Sequence, residues 1–173
     1  MPVGALQGLA PERVCYIASA SKRLAPALRV GWMLSPSWLT GEIVFEKGAA
    51  DGGSPMLEQL ALADFIARGE LDRHLRRVRL SYRRRREALI LALESVLPDA
   101  RVSGVAAGTY ALVHLPEGVD EQGVRSAAAA RGIALEGLAD PPRAGLVLGY
   151  ANVPEPAIER GVRLLSEVAL NMP

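Results

Sequence analysis

The sequence is short of the residues that staple or anchor small folds. Cys15 is the only cysteine in 173 residues, so an intramolecular disulfide is ruled out and a reducing cytosol is the expected setting. Histidine occurs twice, at His74 and His114; two distant imidazoles and one thiol do not make a ligand set, so no metal is expected. No run approaches the ~18 consecutive apolar residues of a membrane span. The opening Met1-Pro2-Val3-Gly4-Ala5 also lacks the basic region and apolar core of a secretory signal. A cytoplasmic chain without membrane contact is the expectation. An excess of one charge is missing too. Twenty cations against nineteen anions give a net charge of +1, which is no global footprint for nucleic acid or membrane.

Apolar residues are plentiful. They make up 50% of the chain, and with a mean hydropathy of +0.16 the length suits one compact domain with a real core. Two β-leaning runs, Val14 to Ile17 and Val30 to Leu34, bracket a polar segment holding Ser19, Ser21, Lys22 and Arg29, the pattern of two strands flanking a loop. By spacing alone, Lys22 and Arg29 read as well as ordinary surface cations. Their company points further. A phosphorylated aldehyde needs an amine for its carbonyl, with hydroxyls and a planar guanidinium for its phosphate, and these residue types suit pyridoxal phosphate.

The stretch Ser19-x-Ser21-Lys22-x-Leu24-Ala25-Pro26-x-Leu28-Arg29-x-Gly31-Trp32 resembles the lysine segment of class I/II aminotransferases, the fold-type-I pyridoxal phosphate enzymes. It is most similar to the version in MocR-type regulators of the GntR superfamily, which join a winged-helix DNA-binding domain to an aminotransferase-like domain. The resemblance implies that Lys22 is the Schiff-base lysine and that Ser19 and Arg29 hold the phosphate, with Ser21 beside them. One departure is Ala20, where the family usually has an aromatic residue, so looser contacts around the cofactor are expected. The implied fold is α/β, the C-terminal portion of a fold-type-I aminotransferase-like fold: the end of the large domain, a long connecting helix, and an α+β small domain.

Three regions follow from that resemblance. Residues 1–53 would be a remnant of the cofactor-binding large domain, residues 54–97 the linking helices, and residues 98–173 the small domain. In the family a long stretch precedes the lysine strand. It supplies the acidic partner of the pyridinium nitrogen, the ring-stacking side chain and the Gly-rich turn that cradles phosphate. Its absence here leads to the expectation of a C-terminal piece of a longer protein, with exposed strand edges.

Along the chain, residues 1–13 read as a loop or turn, Trp38 to Phe45 as a short mixed segment, and residues 48–54 as a flexible loop whose Ser54 caps a helix from Pro55 to about Ala67. Cys15 reads as a small buried strand residue. Beyond Gly69 a helix from Glu70 to Leu97 shows one apolar stripe, Leu71, Leu75, Val78, Tyr82, Leu89, Leu93 and Val96. Its other faces carry Arg73, Arg76, Arg77, Arg79 and Arg83 to Arg86. Such a cluster can grip phosphates, but no aromatic interleaving accompanies it, so a solvated face or subunit contact is the better reading. After Pro98 the pattern alternates. Strands are expected at Val102 to Val105, Tyr110 to Leu115, Ile133 to Leu135 and Gly145 to Ala151, and helices at Glu121 to Arg131 and from Pro156 onward, the last facing Ile158, Val162, Leu165 and Val168 to one side.

In aminotransferases of this kind an arginine on the strand matching Gly145 to Ala151 clamps the substrate carboxylate. Val147 stands at that position, while Arg143 nearby reads as a surface loop residue. Losing a bidentate guanidinium removes the main orienting contact. The expected function is therefore a pyridoxal-phosphate-binding effector domain that senses a small amine or amino acid. A homodimer is implied, with DNA met only through a winged-helix domain absent from this chain. The alternatives are a fragment of a catalytic aminotransferase and a degenerate dimerising module.

Overall fold

A computed structural model describes residues 4–21, 24–103, 108–138 and 144–170, the side chain of Leu170 excepted. The chain divides into two compact units, Met1–Leu75 and Arg76–Pro173.

The first unit opens with a 3-10 turn, Leu6–Gly8, and a two-stranded antiparallel ribbon of β1 (Tyr16–Ser19) and β2 (Gly31–Leu34). Both strands start one or two residues later than the apolar runs suggest. Cys15 precedes β1 and is exposed, not buried. The segment after β2 is a full helix, α1 (Ser37–Asp51), rather than a mixed stretch followed by a loop. It has no buried residue, and Trp38, Val44 and Phe45 stand exposed; without a one-sided apolar stripe the 3.6-residue period leaves no trace in sequence. The helix stops at Gly52, whose φ of 65° is the left-handed closure that glycine adopts without penalty. Trp38 Nε1 donates to the Glu12 carbonyl at 3.1 Å, fixing α1 to the opening segment. Helix α2 (Met56–Ala67) follows. Ser54 does not cap it; its hydroxyl instead receives the Lys47 ammonium at 2.6 Å.

Helix α3 (Glu70–Val96) ends where the periodicity predicts, and Leu89 and Leu93 of its stripe are buried. The second unit is built on an antiparallel sheet of order β3-β4-β6-β5, formed by β3 (Arg101–Ser103), β4 (Tyr110–His114), β5 (Glu136–Gly137) and β6 (Gly145–Gly149). Register pairs Val102 with Val113 and Val113 with Leu146, so these side chains share one face. They meet Leu93 of α3, Val124 of α4 (Glu121–Ala130), and Ile158, Val162, Leu165 and Val168 of α5 (Glu155–Leu170) in one core. The stripe expected on the last helix is thus the face that packs.

Two expectations need correction here. No strand forms at Ile133 to Leu135. Gly132, at φ 79°, turns the chain, and the Ile133 N–H closes onto the Ala128 carbonyl at 3.0 Å, so pairing begins only at Glu136. The arginines of α3 are also not uniformly solvated. Arg73, Arg76, Arg77, Arg79, Arg83 and Arg84 are exposed, several of them in ion pairs. Arg85, however, is half-buried and donates through Nη1 to the Ala151 carbonyl, while its Nε is enclosed with no partner among the described residues. No helix is long and apolar enough to cross a membrane among the described residues, and none of their His, Cys, Asp and Glu side chains group to hold a metal.

Candidate cofactor-binding site

The end of the ribbon in the first unit carries Ser19, Ser21 and Arg29, three of the residues whose types suit a phosphorylated aldehyde. Ser19 pairs with Gly31, and one step further the Ala20 N–H donates to the Val30 carbonyl at 2.8 Å. Ladder closure therefore brings the backbones of Ser19, Ser21 and Arg29 to one end of the ribbon. Lys22 lies outside the described residues, as does Arg143. Within the connection between the strands, Pro26 opens a 3-10 turn, Pro26–Leu28, at a position where its fixed φ favours the turn and its missing N–H costs nothing.

Arg29 ends that turn at φ 48° and ψ 24°, and it is the one non-glycine residue with positive φ among those described. An L-residue there costs roughly 1 kcal/mol relative to the right-handed region. Where a glycine would relieve strain and an arginine stands instead, the guanidinium is the reason to look for a function. Its side chain is exposed, as is that of Ser19, and Ser21 is half-buried. None of the three side chains is hydrogen-bonded to another described residue. Ala20, the departure noted above, is 3% exposed.

Gly31 completes the end of the ribbon. A Cβ placed there would approach the Ala18 carbonyl oxygen at 3.0 Å, so the strands close to this distance only because residue 31 has no side chain. The hydroxyls of Ser19, at the end of β1, and Ser21, just beyond it, together with the guanidinium of Arg29 two residues before β2, are the residue types of a donor set for a phosphate monoester. The residues fit that part of pyridoxal phosphate.

Comparison with known proteins decides the fold. The structure superposes on the α-aminoadipate aminotransferase LysN of Thermus thermophilus, solved with N-(5'-phosphopyridoxyl)-L-leucine, with a TM-score of 0.85 and 28% identity over 98% of this chain and 46% of that one. This chain has the fold of the C-terminal portion of a fold-type-I, pyridoxal-phosphate-dependent aminotransferase. In sequence it is homologous both to aminotransferases and to MocR/GntR-type transcriptional regulators. It is 32% identical over 95% of its length to the HTH-type transcriptional regulator YhdI of Bacillus subtilis, and 30% identical over 98% to the probable rhizopine catabolism regulatory protein MocR of Rhizobium meliloti. The chain spans 36% of each of those two relatives. No family model matches it.

Val147 is the position that the resemblance assigns to the arginine clamping the substrate carboxylate in such enzymes. It is half-buried in mid-β6, between Leu112 on β4 and Glu136 on β5. What sequence reasoning missed is the Arg85 tie to Ala151, two residues beyond β6. Its only signal was an arginine set on the flank of the apolar stripe, between Tyr82 and Leu89.

Proposed function

We propose that the chain is the cofactor-binding C-terminal part of an aminotransferase-like effector domain in a MocR/GntR-type transcriptional regulator. The observation that carries the reading is Arg29, held in a left-handed backbone conformation at the closed end of a ribbon that also presents Ser19 and Ser21. In this reading Arg29, Ser19 and Ser21 hold the phosphate of pyridoxal phosphate and Lys22 provides the amine for its aldehyde. When bound, the cofactor supplies a carbonyl that exchanges between amines, which is a means of sensing a small amine or amino acid. Exchange would bias the arrangement of the large and small domains, the first formed in part by residues 1–53 and the second by residues 98–173. The protein would act in the cytoplasm as a homodimer and meet DNA through a separate winged-helix domain. The exposed Trp38, Phe45 and Leu57 of the first unit are the apolar surface that the rest of such a domain would cover.

Val147 favours sensing over catalysis, since an isopropyl group offers a carboxylate no hydrogen bond. A turnover assay with amino donors and a keto acid separates the two.

The decisive test is chemical trapping. Lys22 and Lys47 are the only lysines, and Lys47 is engaged by Asp51 and Ser54. The chain is incubated with pyridoxal phosphate, reduced with borohydride and mapped by mass spectrometry. The adduct is expected on Lys22, with inorganic phosphate competing and Arg29→Gly lowering the yield. Equal labelling of Lys22 and Lys47, or a yield indifferent to phosphate, overturns the proposal.

A further inference from the structure

The second unit carries a groove of about 1000 Å³ that the reading above does not use. It lies between β3, the end of β4 and the turn that follows β4. Its polar lining is Asp99, Arg101, Ser103, His114 and Glu117. Register sets Arg101 opposite His114, and Ser103 Oγ lies 2.7 Å from His114 Nε2, so the imidazole is held against β3 on the sheet face turned away from the core. Arg101, Asp99 and Glu117 form no ion pair with any described residue. One guanidinium and two carboxylates thus open on the same groove, with no ion pair to a described residue.

Several ligand classes are excluded by that combination. Among the described residues Asp99, Glu117 and His114 do not converge as a metal site. A phosphate or dicarboxylate would bring its second charge toward two carboxylates, and a simple amine would face the guanidinium, like-charge encounters that disfavour both. A molecule bearing both signs satisfies all three groups. The remaining wall, including Leu115, Pro116 and Val119, is apolar.

We infer that this groove binds an apolar α-amino acid as its zwitterion. The carboxylate is taken by Arg101 through charge-assisted hydrogen bonds, the ammonium by Asp99 and Glu117, and the hydrocarbon side chain by the apolar wall. The groove's described lining does not include Ser19, Ser21 or Arg29.

The two histidines make the test direct. Imidazole proton resonances of the chain, free of pyridoxal phosphate, are followed by NMR during titration with L-valine, with isovalerate, which lacks the amine, and with isobutylamine, which lacks the carboxylate. His114 is assigned through His114→Gln, and His74 serves as the internal reference. L-valine is expected to shift the His114 resonance saturably while His74 stays put, and each single-charge probe to bind about tenfold or more weakly. Arg101→Gln should abolish saturation, and Asp99→Asn combined with Glu117→Gln should remove the preference for valine over isovalerate. All three substitutions alter exposed side chains, and the methyl resonances of the core that holds Leu93, Val113 and Leu146 serve as a check on folding of this unit. No saturable shift with valine, isovalerate binding as well as valine, or undiminished binding in Arg101→Gln each overturns the inference.

Discussion

Ser19 and Gly31 face each other across the β1–β2 ladder, and the absence of a side chain at residue 31 is what lets the Ala18 carbonyl come so near. Gly31→Ala would push a methyl group to 3.0 Å from that oxygen, a backbone atom that cannot rotate away. The strands must then part by a few tenths of an ångström, at a cost of about 1 kcal/mol. Urea denaturation should show that loss, and borohydride trapping on Lys22 should fall with it. An unchanged midpoint would mean that the ribbon closes less tightly than described.

Arg29 makes the opposite trade. Its φ of 48° suits glycine, so Arg29→Gly should relieve strain and stabilise the chain by up to about 1 kcal/mol, minus the extra entropy glycine brings to the unfolded state. Phosphate-dependent cofactor capture should drop at the same time. A stabilised variant with impaired binding is the signature of a residue kept for its ligand. If Arg29→Ala and Arg29→Gly prove equally stable, the strain is not real.

What the sequence disclosed and what it withheld divide along physical lines. The stripe on α3 and the apolar face of α5 were legible because each packs against a sheet, and burial on one side stamps a 3.6-residue period on the residues. Helix α1 has no buried face among the described residues, so Trp38 to Asp51 carries no such stamp. Residues 133–135 were misread because a short apolar run after Gly132 suggested a strand, while the Ile133 N–H was already committed to closing α4. The Ser19–Arg29 segment was legible for a different reason. Its residue types are set by the chemistry they face rather than by packing, whereas the left-handed turn at Arg29 is a backbone property that no side-chain pattern announces.

Leu93 sits where α3 meets the sheet and is 1% exposed. Leu93→Ala removes packed methyl groups from the core that also holds Val113 and Leu146, and should cost about 2–5 kcal/mol. Equilibrium unfolding of the chain measures it. Leu91→Ala, on the exposed side of the same helix, is the control and should lie within about 0.5 kcal/mol of the parent.

Glu121 links α4 to the sheet. Its Oε2 accepts the Gly145 N–H at 2.9 Å, and its carboxylate occupies the space that a side chain at Gly137 would fill. Gly145 is buried, so Glu121→Ala strands its N–H and should cost about 1–3 kcal/mol. Glu121→Gln keeps an acceptor oxygen and should lose less than half as much. Equal losses in the two variants would assign the effect to charge at the start of α4 rather than to the hydrogen bond.

Tyr150 supplies a pH dependence with a definite sign. The ring is 2% exposed and its hydroxyl donates to the Gly108 carbonyl at 3.1 Å. Burial raises its pKa above the ordinary 10.0; the nearby Arg86 opposes this and Tyr82 adds to it. As pH rises past 10.0 the unfolded chain gives up this proton first. The contribution is therefore complete below 10.0 and is lost as pH climbs through the folded-state value. Tyr150→Phe should cost about 0.5–1.5 kcal/mol at neutral pH, the value of the missing hydrogen bond. Above pH 10.0 the parent should fall toward the variant, because only the parent has this proton to lose. The other tyrosines titrate in both chains and cancel in the difference. Urea unfolding of the pair across the alkaline range measures the gap, and a gap that stays constant or widens would show that the Tyr150 hydroxyl ionises at least as readily in the fold as in water.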